Sequence, residues 1–420
     1  MYVTIKGIKI KLSDFLLFLS LLFVSSTLPI SGKPNSISII VAVIVLLFYH
    51  FSTQFKMVQI NIFISSALVF FFLYLVSSIL SVNSRSGMFE LEKKLSVLFI
   101  PLIFTLKNAF SIRSVKWILY AFVSSSLLYV CFYLLRLYFH NPLETIFFVE
   151  KDGFNIRRAL DMYYGIHPTY ISMYLLFAST ILYYSASKIR DRYLTILFYL
   201  VSLFFYGLIF SLGSRIVIIS TIVTMFIFFV LDINRQNITK KIVLLISLIL
   251  IFLIVYKLTP SMQHRFDEVL STPKTGPYTK LEMNSTNIRF AILHCSKVLN
   301  LEVNYFSGFG VGDAQDKLNQ CFEESGWTSD ILNYDFHNQY MQTYFELGLI
   351  GLVSLLALFI IPTVIGIREK NYLLLIFLVQ FGIISSTEST LANQQGVVFF
   401  IFMTCLLLKF KDDDLKITLR

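Results

Sequence analysis

Residues 60–82 read INIFISSALVFFFLYLVSSILSV, without one Asp, Glu, Lys or Arg. A helix of about 20 apolar residues is what crosses the hydrocarbon core of a bilayer. Backbone polar groups in lipid must be satisfied within the segment itself, so a lone run of this length reads as a spanning helix. Runs of the same kind recur toward both ends of the 420-residue chain. They place spans at 14–30, 37–51, 60–82, 95–106, 115–138, 169–185, 193–210, 215–231, 242–257, 347–367, 372–386 and 396–409. The fourth is short and contains Pro101; it starts earlier if Glu90 to Lys94 form an amphipathic first turn at the interface. Composition agrees. Only 14% of residues are charged, against about a quarter in an ordinary soluble domain, and mean hydropathy is +0.73. The expected fold is an all-α polytopic membrane protein of about 12 transmembrane helices.

Charge placement sets the orientation. Lys6, Lys9 and Lys11 precede the first apolar run like the n-region of a signal peptide, but no small-residue cleavage site follows Ile30, so a retained first helix is expected. With that end inside, 19 of the 35 Lys and Arg fall on cytoplasmic segments, as the positive-inside rule requires. Removing the fourth span would turn every later basic loop outward. The formal charge of +10 is therefore a topology signal, and no nucleic acid is expected as a partner. Residues 1–257 hold spans one to nine, 258–346 a long outer loop, and 347–420 spans ten to twelve with a cytoplasmic tail.

The loop is too long for a connector and, counted from Lys257, carries 7 basic and 11 acidic residues. Within it Ile288, Ala291, Ile292, Cys295 and Val298 recur at helical spacing behind Ser285 and Thr286, so a small helical cap is expected. Cys295 and Cys321 both fall in this outer loop, where a disulfide would close it. Cys131 and Cys405 fall in spans and read as packing residues; no CxxC spacing points to a metal or to thiol redox chemistry.

Three residues stand out as candidates for chemistry. Arg215 opens the eighth span after Gly213-Ser214, where helix N-terminal amides and a guanidinium together suit an anion at head-group depth. Its plain reading is a snorkelling arginine. Arg289 lies in the first turn of the loop helix; in a loop of net negative charge an anionic ligand would need particular arginines, though a solvated face is the simpler account. His337, in Asp335-Phe336-His337-Asn338-Gln339-Tyr340, precedes the tenth span. A helix start favours its neutral form, which suits a general base; a lone structural histidine is the alternative. Behind these come His167, Arg158, Asn338 and Glu388 as candidate substrate contacts. Gly308-Phe309-Gly310-Val311-Gly312 follows no βαβ unit and reads as turn chemistry, not a dinucleotide loop. Asp412, Asp413 and Asp414 form a solvated end, and neither a metal nor a cofactor is expected.

In this order the pieces resemble the O-antigen ligase and polymerase family of bacterial polysaccharide assembly, across nearly the whole chain. The carrying motifs are Gly213-Ser214-Arg215, Arg289 in a short outer helix, Gly308-Phe309-Gly310-Val311-Gly312, His337-Asn338-Gln339-Tyr340, and Glu346-Leu347-Gly348-Leu349-Ile350-Gly351. Family members typically carry a tryptophan soon after the loop arginine, where this chain has Leu293 and His294. The resemblance implies a GT-C-like glycosyltransferase of the bacterial inner membrane with its site facing the periplasm. It would move a glycan from an undecaprenyl-diphosphate carrier to an acceptor hydroxyl, without metal and with inversion. Arg215 and Arg289 would hold the diphosphate, and His337 would take the proton. The acceptor would be lipid A-core for a ligase, or another lipid-linked unit for a polymerase. A lipid-linked-sugar flippase or transporter is the reading from outside this class; it calls for internal repeats and charges at mid-span.

Overall fold

The computed structural model describes residues 2–5, 8–30, 32–53, 60–106, 112–140, 167–189, 191–230, 238–258, 263, 267, 285–327 and 329–410. Among the described residues, nine helices precede the long loop: α1 (Leu12–Thr27), α2 (Gly32–Thr53), α3 (Ile62–Leu80), α4 (Ser84–Ile103), α5 (Ile112–His140), α6 (Pro168–Ala186), α7 (Arg192–Leu212), α8 (Arg215–Val230) and α9 (Ile238–Leu258). The loop contributes α10 (Ser285–Leu299), α11 (Ala314–Glu324) and a 3-10 turn at Ser329–Ile331. Then come α12 (Gln339–Arg368), α13 (Tyr372–Ser385) and α14 (Gln394–Leu407).

The all-α expectation holds for the bundle, which a short hairpin precedes. β1 (Tyr2–Ile5) and β2 (Ile8–Lys11) pair antiparallel, with Tyr2 opposite Lys11 and Ile5 opposite Ile8. Ile8-Lys9-Ile10-Lys11 alternates apolar and charged side chains, which is the period of a strand.

Each of the twelve expected spans coincides with one of α1–α9 or α12–α14. Of these, α2, α3, α5, α7 and α12 are long and apolar enough to cross a membrane, and α1, α8, α9, α13 and α14 are shorter apolar helices. Short polar caps mark where runs begin. Asn61 accepts from the Ile64 amide, Asp191 from Tyr193 and Leu194, and Asn371 from Leu374. Helix α3 is apolar all round, burying Phe63, Ala67, Phe70 and Tyr74 while exposing Val69, Phe72, Val76 and Ile79. In water such a helix would need cover on every side; in lipid it needs none. At the centre lies α6, all 19 residues of which are buried, with α5, α7, α8 and α13 packed around it.

The fourth span does start early, at Ser84, but Lys94 is no interfacial group. It is 1% exposed, with Nζ 4.9 Å from the Tyr74 ring centroid and 3.9 Å from Glu90 Oε2.

A second hydrophobic cluster, separate from the main one, gathers Ile292, Leu318, Phe322, Ile331, Phe336 and Phe345 from α10, α11, the 3-10 turn and the start of α12. Cys295 and Cys321 are joined within it, their Cα atoms 5.7 Å apart.

This unit is fastened to the bundle through glycine. Helix α12 breaks at Gly348, where φ is 65° and ψ −159°, a region open essentially to glycine alone. Across the break the Phe309 amide donates to the Phe345 carbonyl at 2.8 Å and the Leu349 amide to Tyr305 at 2.7 Å. The backbones meet so closely that a Cβ on Gly348 would overlap the Phe306 carbonyl carbon, and one on Gly308 would come within 2.6 Å of the Glu346 carbonyl carbon. The two glycine motifs are thus two halves of one joint. Gly348→Ala is expected to destabilise the protein in detergent by roughly 3 kcal/mol or more, since backbone strain and overlap add. Gly326, at φ 74° with open space around its Cβ position, is the control. Equal shifts in thermal unfolding for the two alanine variants would disprove the joint.

Candidate active site

The site is built on the turn before α12. Asn338 caps that helix, its Oδ1 accepting from the Tyr340 amide at 2.9 Å and the Met341 amide at 3.1 Å. Its Nδ2 donates to the Ser386 carbonyl at 2.9 Å, tying the turn to the α13–α14 loop. Asp335 Oδ1 accepts from the His337 amide at 2.7 Å. Between these anchors His337 takes φ 45°, a left-handed conformation that a histidine holds only when its surroundings impose it. Phe336, buried, stacks on Phe345 at 4.6 Å, and its amide donates to Gln342 Oε1 at 3.2 Å. Gln342 Nε2 in turn donates to Glu346 Oε1, and the Tyr74 hydroxyl to Glu346 Oε2, both at 2.6 Å. A buried polar chain therefore runs from α3 to the residue before His337.

The His337 imidazole faces two carboxylates. Nδ1 is closed to solvent and lies 3.6 Å from Asp335 Oδ1 and 3.6 Å from Glu388 Oε2, distances of charge pairing rather than full hydrogen bonds. Burial alone would lower its pKa. Glu388 and Asp335 outweigh burial, so the net shift is upward. The two acids thus work against the neutral form that a helix start favours. Glu388 shows the reverse balance. Burial would raise its pKa, but His337, His167 and Arg289 hold it below the usual carboxylate range.

The arginines arrive from two other helices. Arg289 Nη2 lies 3.5 Å from Glu388 Oε1, so one carboxylate is shared by a guanidinium and an imidazole. Arg215 begins α8 because Gly213 closes α7 in the left-handed conformation, at φ 61°. Its Nη2 donates to Ser285 Oγ at 2.6 Å. Ser285 and Arg289 stand one turn apart on α10 and so share a face. Arg215 is thus tied through Ser285 to the helix that carries Arg289, and Arg289 and His337 share Glu388.

The remaining candidates divide. His167 precedes α6, its ring 6.4 Å from that of Tyr170, and it is close enough to Glu388 to help hold that carboxyl down. The Tyr170 hydroxyl accepts from Asn393 Nδ2 at 3.1 Å and donates to the Thr390 carbonyl at 3.3 Å, bracing the loop that carries Glu388. Both ends of the Asn338 amide are engaged by the protein itself. Arg158 and Asp412–Asp414 lie outside the described residues.

Asp335 and Ser285 join the site beyond what motif order alone singles out. An Asp two residues before a His can form this turn and face its ring, a signal available in the sequence. Ser285 as partner of Arg215 has no such signal. Among the described residues no group of three or more His, Cys, Asp and Glu side chains converges as a metal site.

Residues 199–356, from within α7 to within α12, match the family described as O-antigen ligase. That stretch contains Arg215, Arg289 and His337 and ends before Glu388. An uncharacterized protein of Haemophilus influenzae (strain Rd) is 25% identical over 370 residues, covering 82% of this chain and 85% of that protein.

Proposed function

We propose, from the match of residues 199–356 to the O-antigen ligase family, that the protein transfers glycan from an undecaprenyl-diphosphate carrier to an acceptor hydroxyl at the periplasmic face of the bacterial inner membrane, as an O-antigen ligase acting on lipid A-core. In this reading all twelve apolar helices cross the membrane with both termini inside, and 258–346 lies outside.

The observation that carries the proposal is the shared Glu388 carboxylate, with the Arg289 guanidinium on one oxygen and the His337 imidazole on the other. His337 Nε2 takes the proton from the acceptor hydroxyl as its oxygen attacks the anomeric carbon. The bond from that carbon to the phosphate oxygen breaks with inversion, and the electron pair leaves on the lipid diphosphate. Arg289, with Arg215 reaching the same helix, stabilises that departing charge as a metal ion does in other transferases. Asp335 and Glu388 stabilise the imidazolium left behind, as the aspartate of a hydrolase triad does.

Mass spectrometry of surface polysaccharide and lipid-linked glycan in a strain deleted for the gene tests this. A bare core with long carrier-linked chains is the expected result. Single units on the core would instead make the protein the family's polymerase. A bare core with carrier-linked glycan trapped on the cytoplasmic side would instead point to a flippase and overturn transfer altogether.

A further inference from the structure

Tyr334 exposes its ring beside His337, on a backbone held rigid from behind. It is 38% exposed, and its ring centroid lies 5.7 Å from that of His337 at an interplanar angle of 48°. Its carbonyl accepts from Gln315 Nε2 at 3.0 Å, and its amide donates to the Ile331 carbonyl at 3.2 Å. The preceding Asn333 sits at φ 69°, fixed to α11 by its amide donating to Asn319 Oδ1 at 3.0 Å and by Asn319 Nδ2 donating to its Oδ1 at 3.3 Å. Two left-handed residues, Asn333 and His337, thus bracket Tyr334-Asp335-Phe336, while Ile331 and Phe336 are buried as anchors. So costly an arrangement holds the exposed Tyr334 ring and the partly exposed Asp335 carboxylate beside the candidate base.

We propose that Tyr334 and Asp335 form the subsite for the acceptor sugar, and that this sugar is an uncharged pyranose. The inference rests on the transferase reading and names what that reading leaves open. A hydroxyl giving its proton to His337 must come within about 3 Å of the imidazole. The sugar ring carrying it then extends over a neighbouring surface of ring size, and Tyr334 offers an exposed aromatic ring beside the imidazole. The apolar C–H face of a pyranose packs on such a surface, and a neighbouring hydroxyl can donate to Asp335. Charge separates the two substrates. The carboxylates of Asp335 and Glu388 flank His337 and disfavour an anionic acceptor ring, whereas the diphosphate finds its counter-charge at Arg289 and Arg215.

The test uses full-length protein purified in detergent, with two glycolipid fractions extracted from a strain deleted for the gene: carrier-linked glycan as donor and surface glycolipid as acceptor. Tyr334→Ala is expected to raise the acceptor KM roughly 3- to 10-fold, the loss of one aromatic face, and to leave the donor KM unchanged. Tyr334→Phe, which keeps the ring, is expected to recover most of that loss. Saturation-transfer NMR with the deacylated acceptor oligosaccharide should lose its signal in Tyr334→Ala and keep it in His337→Ala. Active Tyr334→Ala with an unaltered acceptor KM, or with donor and acceptor KM raised equally, overturns the subsite while leaving transfer intact. A wild type that transfers nothing between the two fractions overturns the transferase reading, and the subsite falls with it.

Discussion

Purified His337→Ala protein is expected to bind a polyprenyl diphosphate such as farnesyl diphosphate nearly as wild type does, yet to transfer glycan about 10²- to 10⁴-fold more slowly, the usual loss on removing a general base. Binding survives because the side chains assigned to the diphosphate are Arg289 and Arg215, on α10 and α8, and neither reaches the protein through the imidazole. The sign of the pH dependence follows from the carboxylates. Transfer needs the neutral ring. Because Glu388 and Asp335 raise the His337 pKa against the pull of burial, activity should fall with decreasing pH through a value above the ordinary histidine value of about 6.5. Glu388→Gln removes the stronger of the two acids. Protonation then becomes less favourable, so the acid limb should move to lower pH while the plateau rate falls for want of an oriented ring. A pH profile of kcat for the two proteins decides it: a limb that stays in place or moves upward in Glu388→Gln would remove His337 from the base role.

Much of this architecture is legible in the sequence, for a simple reason. A segment of about 20 apolar residues has few alternatives in lipid, so the twelve runs identify twelve helices without any knowledge of packing. The α10 helix is legible because Ile288, Ala291, Ile292 and Cys295 share a stripe that the second hydrophobic cluster buries. What escapes depends on partners distant in the chain. Lys94 looks interfacial until Tyr74 and Glu90 are seen packed on it within the bundle. The protonation balance of His337 turns on Glu388, which arrives from the α13–α14 loop and outweighs a local helix-start argument. The N-terminal hairpin escapes differently. Its lysines invite a targeting-signal reading, although the alternation of Ile8 to Lys11 is a strand pattern.

The arginines should fail in another way. Arg289→Ala is expected to lose both diphosphate binding and transfer, with kcat/KM down about 10²- to 10³-fold, the scale of removing one charge-stabilising donor from a transition state. Arg289→Lys keeps the charge but not the planar fork that meets two phosphate oxygens at once, so it should recover only part of the rate. Arg215→Lys should behave alike, since its planar group bonds Ser285 at the start of the helix that carries Arg289. A second readout separates this from general damage. Arg289 opposes protonation of His337 and, among the described residues, is the charged neighbour that lowers its pKa. Its removal should move the acid limb of the residual activity to higher pH, opposite in sign to Glu388→Gln, while Arg289→Lys should leave the limb where it is. Two limbs moving in opposite directions about one carboxylate would be hard to produce by misfolding, which has no reason to respect the sign of a charge. If Arg289→Ala bound farnesyl diphosphate as tightly as wild type, or shifted the limb downward, the guanidinium would be serving Glu388 alone. The diphosphate would then have to be held elsewhere.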